Sequence, residues 1–261
     1  MIHWNVSPDI FSIGPLTIRW YGLLFALSFI VGYQLMFVIF KKENKTEDEL
    51  NDLVWFMILG TVIGARLGHC LFYNPRYYLT NPLEIVQVWK GGLASHGAAL
   101  GILTAIYLYV RKRKGMTFLW VMDRVVITVA LAGFFIRMGN LFNSEIIGKP
   151  TNASWGFIFE AVDNVPRHPA QLYESIAYLV IFVFLLVLYF KTGGKTKPGL
   201  LFGLFLILVF LFRFFIEFLK ENQAYFENSM TLNMGQLLSI PFILLGIYLI
   251  LFRKEKKSII I

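Results

Sequence analysis

The chain has 261 residues, 57% of them hydrophobic and only 15% charged, with 26 phenylalanines and a mean hydropathy of +0.64. An average soluble domain carries about 25% charged residues, so a single water-soluble core is excluded and lipid must be the solvent for much of the chain. The net charge of +8 has to be placed before it is interpreted, because in a membrane protein the position of basic residues matters more than their sum.

A lone cysteine, Cys70, rules out an intramolecular disulfide framework and any multi-cysteine metal site, and reads as a small packing residue. No basic segment precedes the first apolar run, so a cleavable secretory signal is not expected.

Runs of about 20 apolar residues are needed to cross a hydrocarbon core roughly 30 Å thick. In chain order such runs lie near residues 18–40, 52–73, 94–110, 118–142, 172–190, 199–219 and 233–252. The predicted fold class is therefore an all-α polytopic membrane protein, a single integral membrane domain over 1–261 with seven transmembrane helices. The third run is short and needs help from flanking aromatics. The breaks after the first, third, fifth and seventh runs carry 14 of the 24 basic residues: Lys41, Lys42 and Lys45, then Arg111, Lys112, Arg113 and Lys114, then Lys191, Lys195 and Lys197, then Arg253, Lys254, Lys256 and Lys257. The opposite side carries Arg76, Lys90, Lys149, Arg167 and Lys220. This bias predicts an outside N-terminus and a cytoplasmic C-terminus. Orientation and anionic headgroups then account for most of the charge, and no nucleic-acid partner is needed.

Five arginines remain, namely Arg19, Arg66, Arg124, Arg137 and Arg213, each inside or at the edge of a span. A charge at mid-bilayer costs about 2.5–3.5 kcal/mol or more, so each requires a partner or a watery cavity. Arg124 follows Asp123 and reads as a structural ion pair. Arg66 stands among Gly60, Gly64 and Gly68, a small-residue stripe suited to close helix packing, and an acidic residue on another span is its expected partner.

The other polar groups converge toward the outer face. Span one begins with Arg19 and Tyr21, and span three with Ser95 and His96. Span four ends with Arg137, Asn140, Asn143 and Glu145, and span five follows Arg167, His168, Gln171, Tyr173 and Glu174. Span six carries Arg213 and Glu217 at i, i+4, on one side of a helix. The break at 143–171 is long for a helix connection, and its alternating stretch Trp155 to Ala161 predicts a small ordered periplasmic or extracellular cap between helices four and five. Two arginines facing a cavity suit a phosphate, because each guanidinium offers a planar fork that stays ionised. An anionic phospholipid headgroup is the natural candidate. A structural helix pair for Arg213 and Glu217, and an interface role for His96, stay open on these residues alone.

Specific strings narrow the choice. The run Arg137-Met138-Gly139-Asn140-Leu141-Phe142-Asn143-Ser144-Glu145-Ile146-Ile147-Gly148 resembles the signature of the bacterial phosphatidylglycerol–prolipoprotein diacylglyceryl transferase family. Shorter strings agree in the family's order: Arg19-Trp20-Tyr21-Gly22, Gly91 to Gly97, His168 to Glu174, and Arg213-Phe214 with Glu217. The resemblance implies a multi-pass enzyme of the bacterial cytoplasmic (inner) membrane. Such an enzyme moves the diacylglyceryl group of phosphatidylglycerol onto the lipobox cysteine of a prolipoprotein signal peptide and releases glycerol phosphate, the first step of lipoprotein maturation. It implies no metal and no cofactor.

On that resemblance His96 is the candidate base, Arg137 and Arg213 are phosphate clamps, Glu145 and Glu217 orient them, and Tyr21 and Asn140 contact the headgroup. Two positions depart from the pattern. Ala98 follows Gly97 where a second glycine is common, and Val209 replaces a tyrosine expected four residues before Arg213, which removes a hydroxyl near the lipid. Competing readings are an anionic-lipid transporter and a membrane scaffold. Seven spans with no evident repeat, and polar groups gathered toward one face, count against the transporter. The long signature is unexplained by a scaffold.

Overall fold

The computed structural model describes residues 1–14, 16–113, 115–222 and 225–252. Lys114 and the group Arg253, Lys254, Lys256 and Lys257, counted above among the basic breaks, lie outside the described residues. The chain divides into two compact units, one of residues 36–121 and one of residues 1–35 with 122–261.

Helix α1 (Trp20–Lys42) runs from the larger unit into the smaller one. The smaller unit continues with α2 (Glu47–Phe72), the short α3 (Pro75–Thr80), two 3-10 turns at Pro82–Glu84 and Val88–Lys90, and α4 (Ser95–Lys112). A reciprocal capping box starts α2: the Thr46 hydroxyl accepts from the Glu49 amide at 3.2 Å, and the Glu49 carboxylate accepts from the Thr46 amide at 2.8 Å. The small-residue stripe does what its spacing predicts. A Cβ at Gly60 would lie 2.6 Å from the Gly101 carbonyl oxygen, and one at Gly64 would lie 2.7 Å from Gly101 Cα, so α2 and α4 meet backbone to backbone.

Arg66 departs from expectation. It pairs with no carboxylate among the described residues and donates instead to four backbone carbonyls, those of Ile85 (2.9 Å), Gly91 (2.5 Å), Gly92 (3.3 Å) and Glu84 (2.6 Å). Its fixed fork of donors thereby ties the turn-rich segment that leads into α4 back to α2, and its guanidinium lies over the Tyr78 ring. Cys70 is fully buried, as a packing residue should be.

The larger unit opens with β1 (Ile2–Trp4), β2 (Asp9–Ile13) and β3 (Leu16–Arg19). It continues with α5 (Phe118–Phe142), which begins in the smaller unit, then β4 (Phe157–Phe159), β5 (Pro166–Arg167), α6 (Ala170–Lys191), α7 (Leu200–Ile216) and α8 (Met234–Leu251). A 3-10 turn, Glu217–Leu219, extends α7. Asp123 in α5 caps α7, accepting from the Gly199 and Phe202 amides at 2.7 and 2.8 Å, which satisfies donors that a helix start leaves open. Arg124 lies 3.9 Å from Asp123, as expected, and also donates to the Gly194 carbonyl at 3.1 Å.

The connection between α5 and α6, termed the cap, contains β4 and β5 and folds together with the first residues of the chain. Strand β4 pairs in parallel with β1, Ile2 opposite Phe157 and Trp4 opposite Phe159, and antiparallel with β5. Its small core is Leu141, Phe157 and Phe159, covered by Trp4, Met138, Ile147 and Leu172. The three short N-terminal strands are too brief to show a period in the sequence, and β1 is set by pairing with a strand more than 150 residues away. Strands β2 and β3 form a hairpin that Arg19 closes through Asp9 at 3.0 Å, so Arg19 serves the hairpin and not the polar cluster.

Among the described residues, six helices are long and apolar enough to cross a membrane: α1, α2, α5, α6, α7 with its 3-10 extension, and α8. This is a polytopic, mainly helical membrane protein. The remaining apolar run, the third, is α4, an 18-residue helix packed along α2 whose polar ends, Ser95-His96 and Arg111-Lys112, dilute its apolar centre.

Candidate active site

Where α5, α6 and α7 come together, charged side chains form one chain of alternating sign. Arg137 Nε lies 3.1 Å from Glu174 Oε2, Glu174 Oε1 lies 3.6 Å from Lys220 Nζ, Lys220 Nζ lies 2.9 Å from Glu217 Oε1, and Glu217 Oε1 lies 3.7 Å from Arg213 Nε. Three cations and two anions leave one positive charge in excess. The middle of the chain is dry, with Glu174 at 0% and Lys220 at 3% exposure. Its ends are more open, the Arg137 and Arg213 side chains being 14% and 36% exposed.

Buried ions persist only when paired, and here each buried carboxylate touches two cations. The contacts to Glu174 are charge pairs without hydrogen-bond alignment, and the buried Arg213 Nε makes no hydrogen bond. The surplus charge therefore sits on two guanidinium ends with donors to spare, an arrangement that accepts an oxyanion.

Helix α5 presents the rest of the site. Arg137 Nη1 donates to Asn140 Oδ1 at 3.3 Å, and Asn140 Nδ2 donates to Glu145 Oε1 at 2.7 Å. Asn143 Nδ2 reaches the same oxygen at 3.2 Å, and Gln171 Nε2 holds the Glu145 backbone carbonyl at 2.7 Å. Glu145 thus orients Asn140 directly and reaches Arg137 only through it. Tyr21 lies against Gly139, where a Cβ would stand 2.7 Å from Tyr21 Cδ2, so glycine lets the α1 ring approach the α5 backbone. Asn233 Nδ2 donates to Glu217 Oε2 at 3.1 Å and fixes the other carboxylate from α8.

Of the predicted site residues, Arg137, Asn140, Glu145, Arg213 and Glu217 belong to the larger unit and join this network, and Tyr21, in the same unit, packs beside it against Gly139. His96 belongs to the smaller unit, exposed on the first turn of α4. Glu174 and Lys220 had no role assigned from sequence. Lys220 was legible as the third member of Arg213, Glu217 and Lys220, at steps of four and three along one helical face, but it was counted only as a basic residue of an outer break. Glu174 needs the fold, because its partners lie 37 residues before it and 46 after it.

The cap holds the far side of Lys220. Gly148 pairs with Lys220 in an isolated bridge, the Lys149 amide donates to the Leu219 carbonyl at 2.8 Å, and the Glu221 amide donates to the Ile147 carbonyl at 3.2 Å. Arg167 bonds Asp163 at 2.6 Å and Glu221 at 2.7 Å. The Arg167 guanidinium holds the Asp163 carboxyl below the usual carboxylate range.

The family model of prolipoprotein diacylglyceryl transferase matches residues 8–252. The chain belongs to that family. It is 54% identical over 257 residues to the phosphatidylglycerol–prolipoprotein diacylglyceryl transferase of Chloroherpeton thalassium, covering 98% of this chain and 96% of the relative. The proteins of the same name from Tolumonas auensis and Rickettsia felis are 49% and 40% identical, with 99% and 94% of this chain covered and 100% and 96% of theirs. This prolipoprotein diacylglyceryl transferase family member is accordingly a multi-pass membrane transferase, and its signature run, Arg137 to Gly148, is the stretch of α5 and cap that carries Arg137, Asn140 and Glu145.

Proposed function

We propose that the chain transfers the diacylglyceryl group of phosphatidylglycerol to the thiol of a prolipoprotein lipobox cysteine, in the bacterial cytoplasmic membrane, with glycerol phosphate as the leaving group. The observation that carries this reading is the alternating chain from Arg137 to Arg213, whose positive ends have unused donors. A phosphodiester between a diacylglyceryl group and a headgroup glycerol is an anion, and planar guanidinium forks match its oxygens.

The cysteine sulfur attacks the glyceryl carbon bonded to phosphate. The new bond is carbon to sulfur, the carbon–oxygen bond breaks, and its electron pair leaves on the phosphate oxygen. Charge grows on that oxygen in the transition state, and donors already in place stabilise it there. Arg137 and Arg213 supply them, Glu217 orients Arg213, and Asn140, held by Glu145, squares Arg137 and meets the headgroup together with Tyr21. The thiol proton must leave as sulfur becomes the nucleophile, and His96 is assigned as its acceptor.

With α4 counted as a seventh crossing, our reading has the N-terminus and the cap outside and the C-terminus in the cytoplasm. The basic breaks support that orientation. The deciding experiment incubates purified protein with phosphatidylglycerol and a lipobox peptide and reads the peptide by mass spectrometry. A diacylglyceryl addition at the cysteine is expected. An unmodified peptide, with lipid moved between leaflets of a vesicle, would overturn the reading.

A further inference from the structure

His96 is the assigned proton acceptor, yet its side chain is exposed and no hydrogen bond to a described residue holds the ring. An imidazole that takes a proton has to be aimed at it, so here the direction comes from the backbone that carries the ring. That backbone is pinned to α2 on both sides of His96. Ahead of it the Ala94 amide donates to the Ala65 carbonyl at 3.0 Å. Behind it a Cβ at Gly97 would stand 2.2 Å from the Gly64 carbonyl oxygen and 2.8 Å from Gly68 Cα, so α4 begins in direct contact with the α2 backbone.

The α2 residues that do this, Gly64, Ala65 and Gly68, flank Arg66, whose own donors go to the segment just upstream. Arg66 is 3% exposed, and its grip on the Gly91 and Gly92 carbonyls falls on the turn that delivers the chain to α4. Both glycines have positive φ, +82° and +71°, a conformation that favours glycine. A Cβ at Gly92 would meet His69 Nε2 at 2.5 Å and Arg66 Nη1 at 3.0 Å. A buried cation with no carboxylate among the described residues is costly, and the carbonyls offset that cost only while the turn keeps this shape. Arginine and turn therefore fix one another.

We propose that Arg66 is a positioning residue for His96. By holding the Gly91–Gly92 turn against α2, four residues ahead of His96, it sets where the first turn of α4 lies and so where the imidazole points. The proposal rests on His96 being the base of the proposed function.

Arg66→Lys keeps the cation and loses the planar fork. In the full-length enzyme, with phosphatidylglycerol in mixed micelles and a lipobox peptide, it should lower kcat about 10²-fold, the effect of misplacing a reacting group by about 1 Å, with the lipid KM near its parental value. The deciding readout is the same substitution made in His96→Gln, where kcat should fall no further because the group being positioned is gone. A fall by the same factor in both backgrounds is what a smaller folded fraction produces, and it overturns the proposal. An unchanged kcat in Arg66→Lys overturns it too, and in both cases a slow His96→Gln leaves the base reading standing. Parental turnover in His96→Gln alone removes the base reading, and the proposal with it. Gly92→Ala disturbs the same turn while leaving the Arg66 side chain in place, and runs the same cycle with the same outcomes where Arg66→Lys does not accumulate.

Discussion

The Lys220 ammonium lies 2.9 Å from Glu217 Oε1 with both residues buried, and among the described residues it is the one cation paired with both carboxylates of the alternating chain, Glu174 and Glu217. Removing it would leave Glu174 and Glu217 each with a single arginine and no neutralising charge between them. Lys220→Met should destabilise the protein by about 3–5 kcal/mol and abolish transfer. Adding Glu217→Gln should restore part of the melting temperature but not the activity, because Arg213 then loses its orienting anion. Additive losses of stability in the double variant would show that the two residues do not interact.

Arg137→Lys and Arg213→Lys keep the charge and lose the planar fork. If phosphate recognition is bidentate, each should lower kcat/KM by roughly 10–100-fold, the span of a charge-assisted hydrogen bond. Activity assays on variants matched for expression decide it. A lysine variant at parental activity would mean that a point charge is enough at that end of the chain.

His96 is exposed on the first turn of α4 and is assigned as the proton acceptor. His96→Gln preserves size and polarity, and should lower kcat by about 10²–10⁴ while leaving the lipid KM near its parental value. Retained turnover in a normally expressed variant removes His96 from the role of obligatory base and leaves the arginine-held leaving group to carry the reaction.

The cap has its own response to acid. Because Arg167 lowers the Asp163 pKa in the folded protein, this pair contributes stability above the unfolded carboxylate value of about 3.9, and the contribution is lost as pH falls through the lowered folded value. The Val165 amide, bonded to Asp163 Oδ1 at 3.0 Å, should keep its hydrogen-exchange protection to below pH 4 and lose it on further acidification. Asp163→Asn should lose that protection at neutral pH. Protection that vanishes well above pH 4 in the parent would contradict the assignment.

The helices were legible because they follow one rule, apolar length, and the sequence reading of span four, 118–142, coincides with α5. The glycine stripe was legible for a similar reason, since a period of four on a helix is a local property. What was not legible depends on partners distant in sequence. Strand β1 is three residues long and exists through its pairing with β4. Arg66 looked like a charge in search of a carboxylate because carbonyl groups carry no mark in a sequence. Within the site, Arg137, Asn140 and Glu145 could be read together as one run, whereas Glu174 became part of it only when α6 was laid beside α5.

Arg66 and Arg167 tether two connecting segments in chemically different ways. The Arg167 latch depends on carboxylates, so protons can undo it. Arg66 grips four peptide oxygens, which do not titrate, and it has no acidic partner among the described residues for acid to neutralise. The segment that leads into α4 is thus anchored by a contact indifferent to the acidity of the medium. Souring of the surroundings would loosen the cap well before it disturbed the approach to His96.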